Sequence, residues 1–234
     1  MRDWREYWNS MPRKWAETDF LQQVGKTVKG QPVSEAQVDE IVRQLCTVLA
    51  FNSKDRVLDL CCGNGLLTHR VAAFCETVVA VDYSGILIEV ARKYHQPPNG
   101  SYIQSSVLDL SLELLGSMVS FTKVYMYEAL QHFGEEDLES LLRVIRTMIT
   151  EEALVYFGSV PDKERIWHFY NTPKLRDEYY RRKAEGREAM GTWWEYLTLE
   201  SIAASMGFRC NRLSQSPQLY TAHYRYDVLL TLDR

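Results

Sequence analysis

The sequence predicts an α/β fold: a doubly wound, mostly parallel seven-stranded sheet with an antiparallel C-terminal edge and a helical lid. Three observations predict it. Short apolar runs alternate with helical segments five times between residues 34 and 157, the pattern of a parallel sheet covered by helices on both faces. A turn, Gly63-Asn64-Gly65, follows the first of these runs almost at once, where a strand would feed a ligand-binding loop. The last two apolar runs, Phe208–Leu213 and Tyr224–Leu232, lie close together with no good helix between them, which suits an antiparallel hairpin.

The elements follow in order. Ser34 and Gln37 have the form of a capping box, and Val38, Ile41, Val42, Leu45, Val48 and Leu49 then recur at helical spacing. Arg56–Leu60 reads as the first buried strand, followed by a helix from near Leu66 to about Phe74. Thr77–Val81, closed by Asp82, is the second strand. Ile86–Tyr94 is helical and stops before Pro97-Pro98. Ser101–Gln104, Lys123–Tyr127 and Ala153–Phe157 are strands three to five, with an amphipathic helix over Glu135–Thr150. A helix over Thr198–Met206 ends at Gly207.

A chain of 234 residues fits one domain over 1–234. Within it, 1–33 reads as an N-terminal lid segment and 161–192 as a helical, aromatic insertion covering an acceptor site. Tryptophan supports this: Trp4, Trp8 and Trp15 fall in the first segment, and Trp167, Trp193 and Trp194 in or beside the second. Aromatic clusters outside the core pattern suit a cover over a ligand.

Composition narrows the class. No run approaches the roughly 20 apolar residues of a membrane span, and the N-terminus lacks an apolar leader. Five cysteines without a CxxC pair, and no histidine at ligand spacing, point to a reducing cytoplasm and to no metal. A net charge of −4, with acids interleaved through the basic stretch Arg176–Arg187, argues against a nucleic-acid partner. The expectation is a cytoplasmic monomer or homodimer acting on a small molecule.

The glycine turn does not choose among nucleotides. Thr68 stands where a dinucleotide fingerprint has its third glycine. Asp59 ends the first strand beside the turn, where its charge would repel a pyrophosphate and attract a cationic ligand. A capping or ion-paired acid is the structural alternative. Asp82, about twenty residues past the turn, suits a bidentate bond to a ribose diol; alone, it would read as a helix cap.

Val57-Leu58-Asp59-Leu60-Cys61-Cys62-Gly63-Asn64-Gly65, followed by Asp82, resembles the signature of class I S-adenosylmethionine-dependent methyltransferases of the small-molecule type. The resemblance covers about residues 34–157 well and the rest in outline. It implies a Rossmann-like methyltransferase fold, S-adenosyl-L-methionine as cofactor and S-adenosyl-L-homocysteine as product. Cofactor contacts are expected at Asp59, Cys61, Gly63, Asn64, Gly65, Asp82, Tyr83, Ser106, Val107 and Glu128, and at Tyr7 and Trp8 of the lid. One departure stands out: Ser106 occupies the place of a family Asp that bonds the adenine amino group, with Asp109 a fallback.

Methyl transfer needs an acceptor held in line with the methyl group and water kept out. In an open parallel sheet the reacting centre lies beyond the carboxyl ends of the strands. Glu128-Ala129-Leu130-Gln131-His132, just past the fourth, is similar to the E-x-L-x-H stretch of small-molecule members. It implies catalytic roles for Glu128, beside the cofactor, and His132, a candidate base at neutral pH; the alternative for His132 is packing or helix capping. Gln23–Thr27 is a candidate lining for the methionine end, and Tyr170, Trp193, Trp194, Tyr220 and His223 for the acceptor pocket. The expected reaction is methylation of an oxygen, less readily a nitrogen, of a small metabolite such as a sugar or natural-product intermediate. A protein or nucleic-acid methyltransferase and an NAD-dependent oxidoreductase are the alternatives.

Overall fold

The computed structural model describes residues 3–116 and 120–233; Met1 and Arg2 of the lid segment lie outside them. Seven strands form the main sheet: β1 (Arg56–Leu60), β2 (Thr77–Asp82), β3 (Gly100–Gln104), β4 (Phe121–Tyr127), β5 (Ile149–Pro161), β6 (Phe208–Leu213) and β7 (Arg225–Leu232). Their spatial order is β3-β2-β1-β4-β5-β7-β6. All pairings are parallel except those of β7, which runs antiparallel to both β5 and β6. The C-terminal hairpin is therefore present, with β7 inserted and β6 at the edge.

The sheet buries both faces, as expected for short, continuously apolar strands. Leu58, Leu60, Val124 and Met126 point into one core cluster with Leu138, Leu141 and Ile145 of the helix Glu135–Arg146. Val57 and Tyr125, one residue out of phase, join Val38, Ile41 and Leu45 of the helix Glu35–Leu49 on the other face. β1 lies between β2 and β4, so the strand order reverses beside it, and the crevice outside its carboxyl end is where such sheets bind ligands.

Several boundaries differ from expectation for local reasons. The helix expected to reach Thr150 ends at Arg146, and Ile149 begins β5; the β-branched pair Ile149-Thr150 suits a strand better. β5 is thirteen residues long and breaks register with β7 between Phe157 and Val160, with Ser159 at φ +61°. The helix expected from Leu66 shrinks to Thr68–Val71 and a 3-10 turn, Ala72–Phe74. Ser34 makes no capping bond. Gln37 instead donates to the carbonyl of Gln218 and accepts from the Tyr220 amide, which ties this helix to the loop before β7.

The segments 1–33 and 161–192 both pack beside the carboxyl ends of the strands. In the N-terminal segment, the carbonyl of Trp4 in the helix Trp4–Ser10 accepts from the Tyr83 hydroxyl at 2.6 Å, and that of Trp8 from Ser84 Oγ at 3.0 Å, contacts that place the segment without assigning it a covering role. The insertion contains the helices Ile166–Phe169 and Pro173–Ala184. It returns over the segment after β4, where the Thr192 amide donates to Gln131 O, Thr192 Oγ1 to Phe133 O and Trp194 Nε1 to Leu130 O, at 2.8 to 3.0 Å. No described helix is long and apolar enough to cross a membrane.

Candidate active site

A cavity of about 250 Å³ opens at the carboxyl ends of β1, β2 and β4. Asp59, Cys61, Gly63, Asn64, Asp82, Tyr83, Ser106, Val107, Glu128, His132 and Trp8 all line it. Residues spread over more than 120 positions of sequence thus meet in one place. Gly65 and Tyr7 do not line it. A Cβ on Gly65 would come within 2.4 Å of the Tyr102 hydroxyl, so this glycine gives clearance to the packing behind the loop. Tyr7 stacks edge-on against Trp4 and Trp8, which do line the cavity, and so supports the cover from behind.

Asp59 is buried. Its Oδ2 accepts from Thr68 Oγ1 and from the Tyr125 hydroxyl, each at 2.6 Å. Burial pushes its pKa up to about 7, against the pull of those two bonds. Thr68 is thus a partner of the loop acid as well as the residue in the third-glycine position. Tyr125 reaches Asp59 from β4, directly opposite in the register, a contact that no local pattern announces.

Asp82 is also buried, and its pKa is pushed up to about 6. Oδ2 accepts from the Gly63 amide at 2.9 Å and Oδ1 from the Ser84 amide at 2.8 Å. Asp82 thus braces the turn before the helix Gly85–Tyr94, whose N-cap is Ser84, and lines the cavity as well. Each oxygen has a second lone pair for a further donor. Gly63 sits at φ +57°, with Val24 within 2.9 Å of where a Cβ would stand, so only glycine turns this amide toward Asp82 without strain.

Asn64 divides its roles. It lines the cavity, and its side-chain amide donates to Phe20 O and Gln23 Oε1, each at 2.9 Å. That clamps the N-terminal segment to the loop. Farther along the cavity wall, Ser106 Oγ accepts from the Leu108 amide at 3.2 Å. The fallback Asp109 is exposed and does not line the cavity.

At the opposite end Glu128 sits at φ +55°, an unfavourable conformation for a side-chain-bearing residue. Its Oε2 accepts from Lys26 Nζ at 2.5 Å and its Oε1 from the Tyr220 hydroxyl at 2.8 Å. Burial alone would raise the Glu128 pKa; Lys26 and Arg225 outweigh it and hold the carboxyl below its usual range. Of the segment Gln23–Thr27, Val24 and Lys26 line the cavity.

His132 is held between two indoles, with ring centroids 4.3 Å from Trp4 and 5.6 Å from Trp8. Trp8 Nε1 donates to its Nε2 at 3.1 Å. This nitrogen is therefore an acceptor already in use, so a base role requires Trp8 to release it. Of the acceptor-pocket candidates, Trp194 is core, 1% exposed. Tyr170 and His223 line neither this cavity nor the one beside it. Tyr220 reaches the site through Glu128, and Trp193 lines the neighbouring cavity.

Comparison with known proteins agrees with this geometry. Residues 57–152 match a family model described as a methyltransferase domain. The segment has a class I methyltransferase fold. A ubiquinone biosynthesis O-methyltransferase of Xanthomonas axonopodis pv. citri is 40% identical to the chain over 108 residues, 45% of this chain and 43% of the relative. The matches to curated relatives span only 22% to 59% of those proteins' lengths. Among solved structures, a SAM-dependent methyltransferase from Anabaena variabilis superposes with a TM-score of 0.69 at 19% identity, covering 98% of this chain and 93% of that one. Magnesium protoporphyrin IX methyltransferase of Synechocystis, crystallised with S-adenosylhomocysteine, gives 0.65 at 15% identity, covering 98% and 97%. At such identities these likenesses establish the methyltransferase fold over nearly the whole chain.

Proposed function

We propose that the chain transfers a methyl group from S-adenosylmethionine to an oxygen, less readily a nitrogen, of a small metabolite. One observation carries the reading: three buried or nearly buried acids, Asp59, Asp82 and Glu128, end or follow three adjacent strands and face one cavity. Such a rim suits a ligand with cationic centres and a diol, and opposes a pyrophosphate. Bound there, the cofactor supplies a methyl group already activated on its sulfonium.

The chain's own residues do the rest. Asp82 would accept the ribose hydroxyls on the lone pairs left by Gly63 and Ser84. Ser106 and the Val107 amide would meet the adenine edge. Both Asp59 bonds fall on Oδ2, which leaves Oδ1 to face a cation. Glu128 and Lys26 together complement an amino-acid zwitterion, the acid for the ammonium and the lysine for the carboxylate. Trp4 and Trp8 exclude water from above. His132 would hold an acceptor proton on Nε2 once Trp8 swings away. The O-methyltransferase among the relatives favours oxygen, and the aromatic lining of the insertion favours an acceptor with a flat or apolar face.

Calorimetry with S-adenosylhomocysteine and with NADH tests the cofactor. S-adenosylhomocysteine is expected to bind; NADH binding without it would overturn the reading. A mass increase of one methyl group across a panel of phenols, sugars and amines then tests the acceptor.

A further inference from the structure

A second cavity, about 450 Å³, lies beneath the insertion. Trp4 lines both it and the cofactor cavity, and its ring lies tilted against that of His132, with centroids 4.3 Å apart. One indole thus stands between the two spaces, at the residue placed nearest the reacting atoms. The closeness is built in: a Cβ on Gly191 would meet Trp4 Cζ2 at 2.9 Å and the Gln131 carbonyl at 2.3 Å.

The walls of this cavity are aromatic and apolar, with Trp4, Trp193, Tyr179 and Ile166, and carry three charged groups: Lys163, Lys183 and Glu188. Lys163 is committed to Glu195 at 2.8 Å. Glu188 is committed to the Tyr170 hydroxyl and to the Gly191 amide. Lys183 differs. Its Nζ donates to the neutral Tyr179 hydroxyl at 3.1 Å, and among the described residues it has no carboxylate partner. Trp193 adds a polar atom without an outlet: its Nε1 is buried and finds no hydrogen-bond acceptor among the described residues. Such an orphaned donor is costly in a native fold unless something accepts from it.

We propose that this second cavity binds the methyl acceptor, and that the acceptor is a planar aromatic molecule carrying an acidic group, a carboxylate or phosphate. The ring lies among Trp4, Tyr179 and Trp193. The acid meets Lys183, and an oxygen of the acceptor molecule accepts a hydrogen bond from Trp193 Nε1. The position to be methylated faces Trp4, whose displacement joins the two cavities. This rests on the methyltransferase reading above but adds a charge requirement that it does not contain.

Calorimetry on the full chain, with and without saturating S-adenosylhomocysteine, tests it with 6-hydroxy-2-naphthoate against the matched uncharged amide, 6-hydroxy-2-naphthamide. The acid is expected to bind about tenfold more tightly, as one charge-assisted contact would give. Lys183→Gln should bring the acid to the affinity of the amide, Lys183→Arg should keep the preference, and Trp193→Phe should weaken both several-fold. Equal affinities in the wild type, no binding of either compound, or a preference that survives Lys183→Gln would each overturn the proposal. The arm without S-adenosylhomocysteine reads the second cavity by itself, so failure of the cofactor assignment shows separately, as loss of the S-adenosylhomocysteine signal alone.

Discussion

Lys26 crosses from the N-terminal segment to meet Glu128 beyond β4 at 2.5 Å, with their side chains only 5% and 14% exposed. The pair joins the N-terminal segment to the strand end beneath it, so docking of that segment and the charge of Glu128 are linked. It also makes the site vulnerable at a single point, because a charge left alone in such a place is expensive.

Lys26→Met is therefore expected to destabilise the fold by about 3 kcal/mol, while the double variant Lys26→Met/Glu128→Gln recovers much of the loss. Denaturant melts of the four proteins in the cycle measure this. Since Glu128 is held below its ordinary 4.5, its contribution is present above that value and is lost as pH falls through the lowered one. S-adenosylhomocysteine affinity should drop about tenfold in either single variant. A cycle with no coupling energy would reduce the pair to a surface-type contact.

Asp59 and Asp82 give a second expectation, from the opposite sign. Both are raised by burial, to about 7 and about 6, from 3.8. The folded protein therefore holds protons that the unfolded chain has released, and the stability they contribute is lost as pH rises through 6 to 7. Asp59→Asn should raise the melting midpoint of the ligand-free protein at pH 8. Cofactor binding brings positive charge and should drive protons off, so binding at pH 6.5 should release them into the buffer. Titrations in two buffers of different ionisation enthalpy measure that release, and it should shrink in Asp59→Asn.

The sequence made the centre of this site legible because local chemistry marks it. Val57–Gly65 combines a buried strand with residues tolerant of a tight turn, and Asp82 falls at the end of the next strand; both then meet across adjacent strands. The strand order, by contrast, is only partly local. The insertion of β7 between β5 and β6 depends on which edge remains open after five strands have paired. The same limit applies to single contacts. Tyr125 on Asp59 and Tyr220 on Glu128 bring together residues 66 and 92 positions apart, and no spacing rule reaches that far. Gln37 read as half of a capping box because its three-residue offset fits one, yet tertiary partners at Gln218 and Tyr220 outcompete the local bond. Gly65 matches the turn pattern through its φ of +76°, and also gives clearance for Tyr102, which the pattern does not announce.

Trp8 decides what His132 can do. With Nε2 accepting from the indole at 3.1 Å, His132 is ordered but engaged. Trp8→Phe keeps an aromatic cover and removes the donor, so it should shift the pH profile of turnover while changing S-adenosylhomocysteine affinity little. His132→Ala should lower turnover by about 10²-fold or more, with a smaller loss of cofactor affinity. Equal losses in both would make His132 scaffold for Trp4 and Trp8.

His69 and His95 link the cofactor loop to acid. Their rings stack, with centroids 4.4 Å apart and planes 5° apart. Each Nδ1 sits on a carbonyl of the loop: His69 on Gly65 at 2.9 Å and His95 on Asn64 at 2.6 Å. A carbonyl only accepts, so both Nδ1 atoms carry the proton, and a second proton must enter at Nε2. Burial lowers both pKa values below 6.5; the neighbouring Arg70, and for His69 also His95, lower them further. The unfolded chain then takes up more protons on acidification than the folded one. Stability is full above pH 6.5 and is lost as pH falls through the lowered values. The pair's share is read as a difference: from pH 7.5 to 5.5 the wild type should lose several degrees of melting midpoint relative to His69→Gln/His95→Gln, which retains side-chain donors for the two carbonyls and shares the opposing rise from Asp59 and Asp82. Because those carbonyls belong to the turn beside Gly63, whose amide is fixed on Asp82, S-adenosylhomocysteine affinity should weaken over the same range in the wild type and less in the variant. A melting curve equally acid-sensitive in both proteins would move the effect from the stacked pair to other groups.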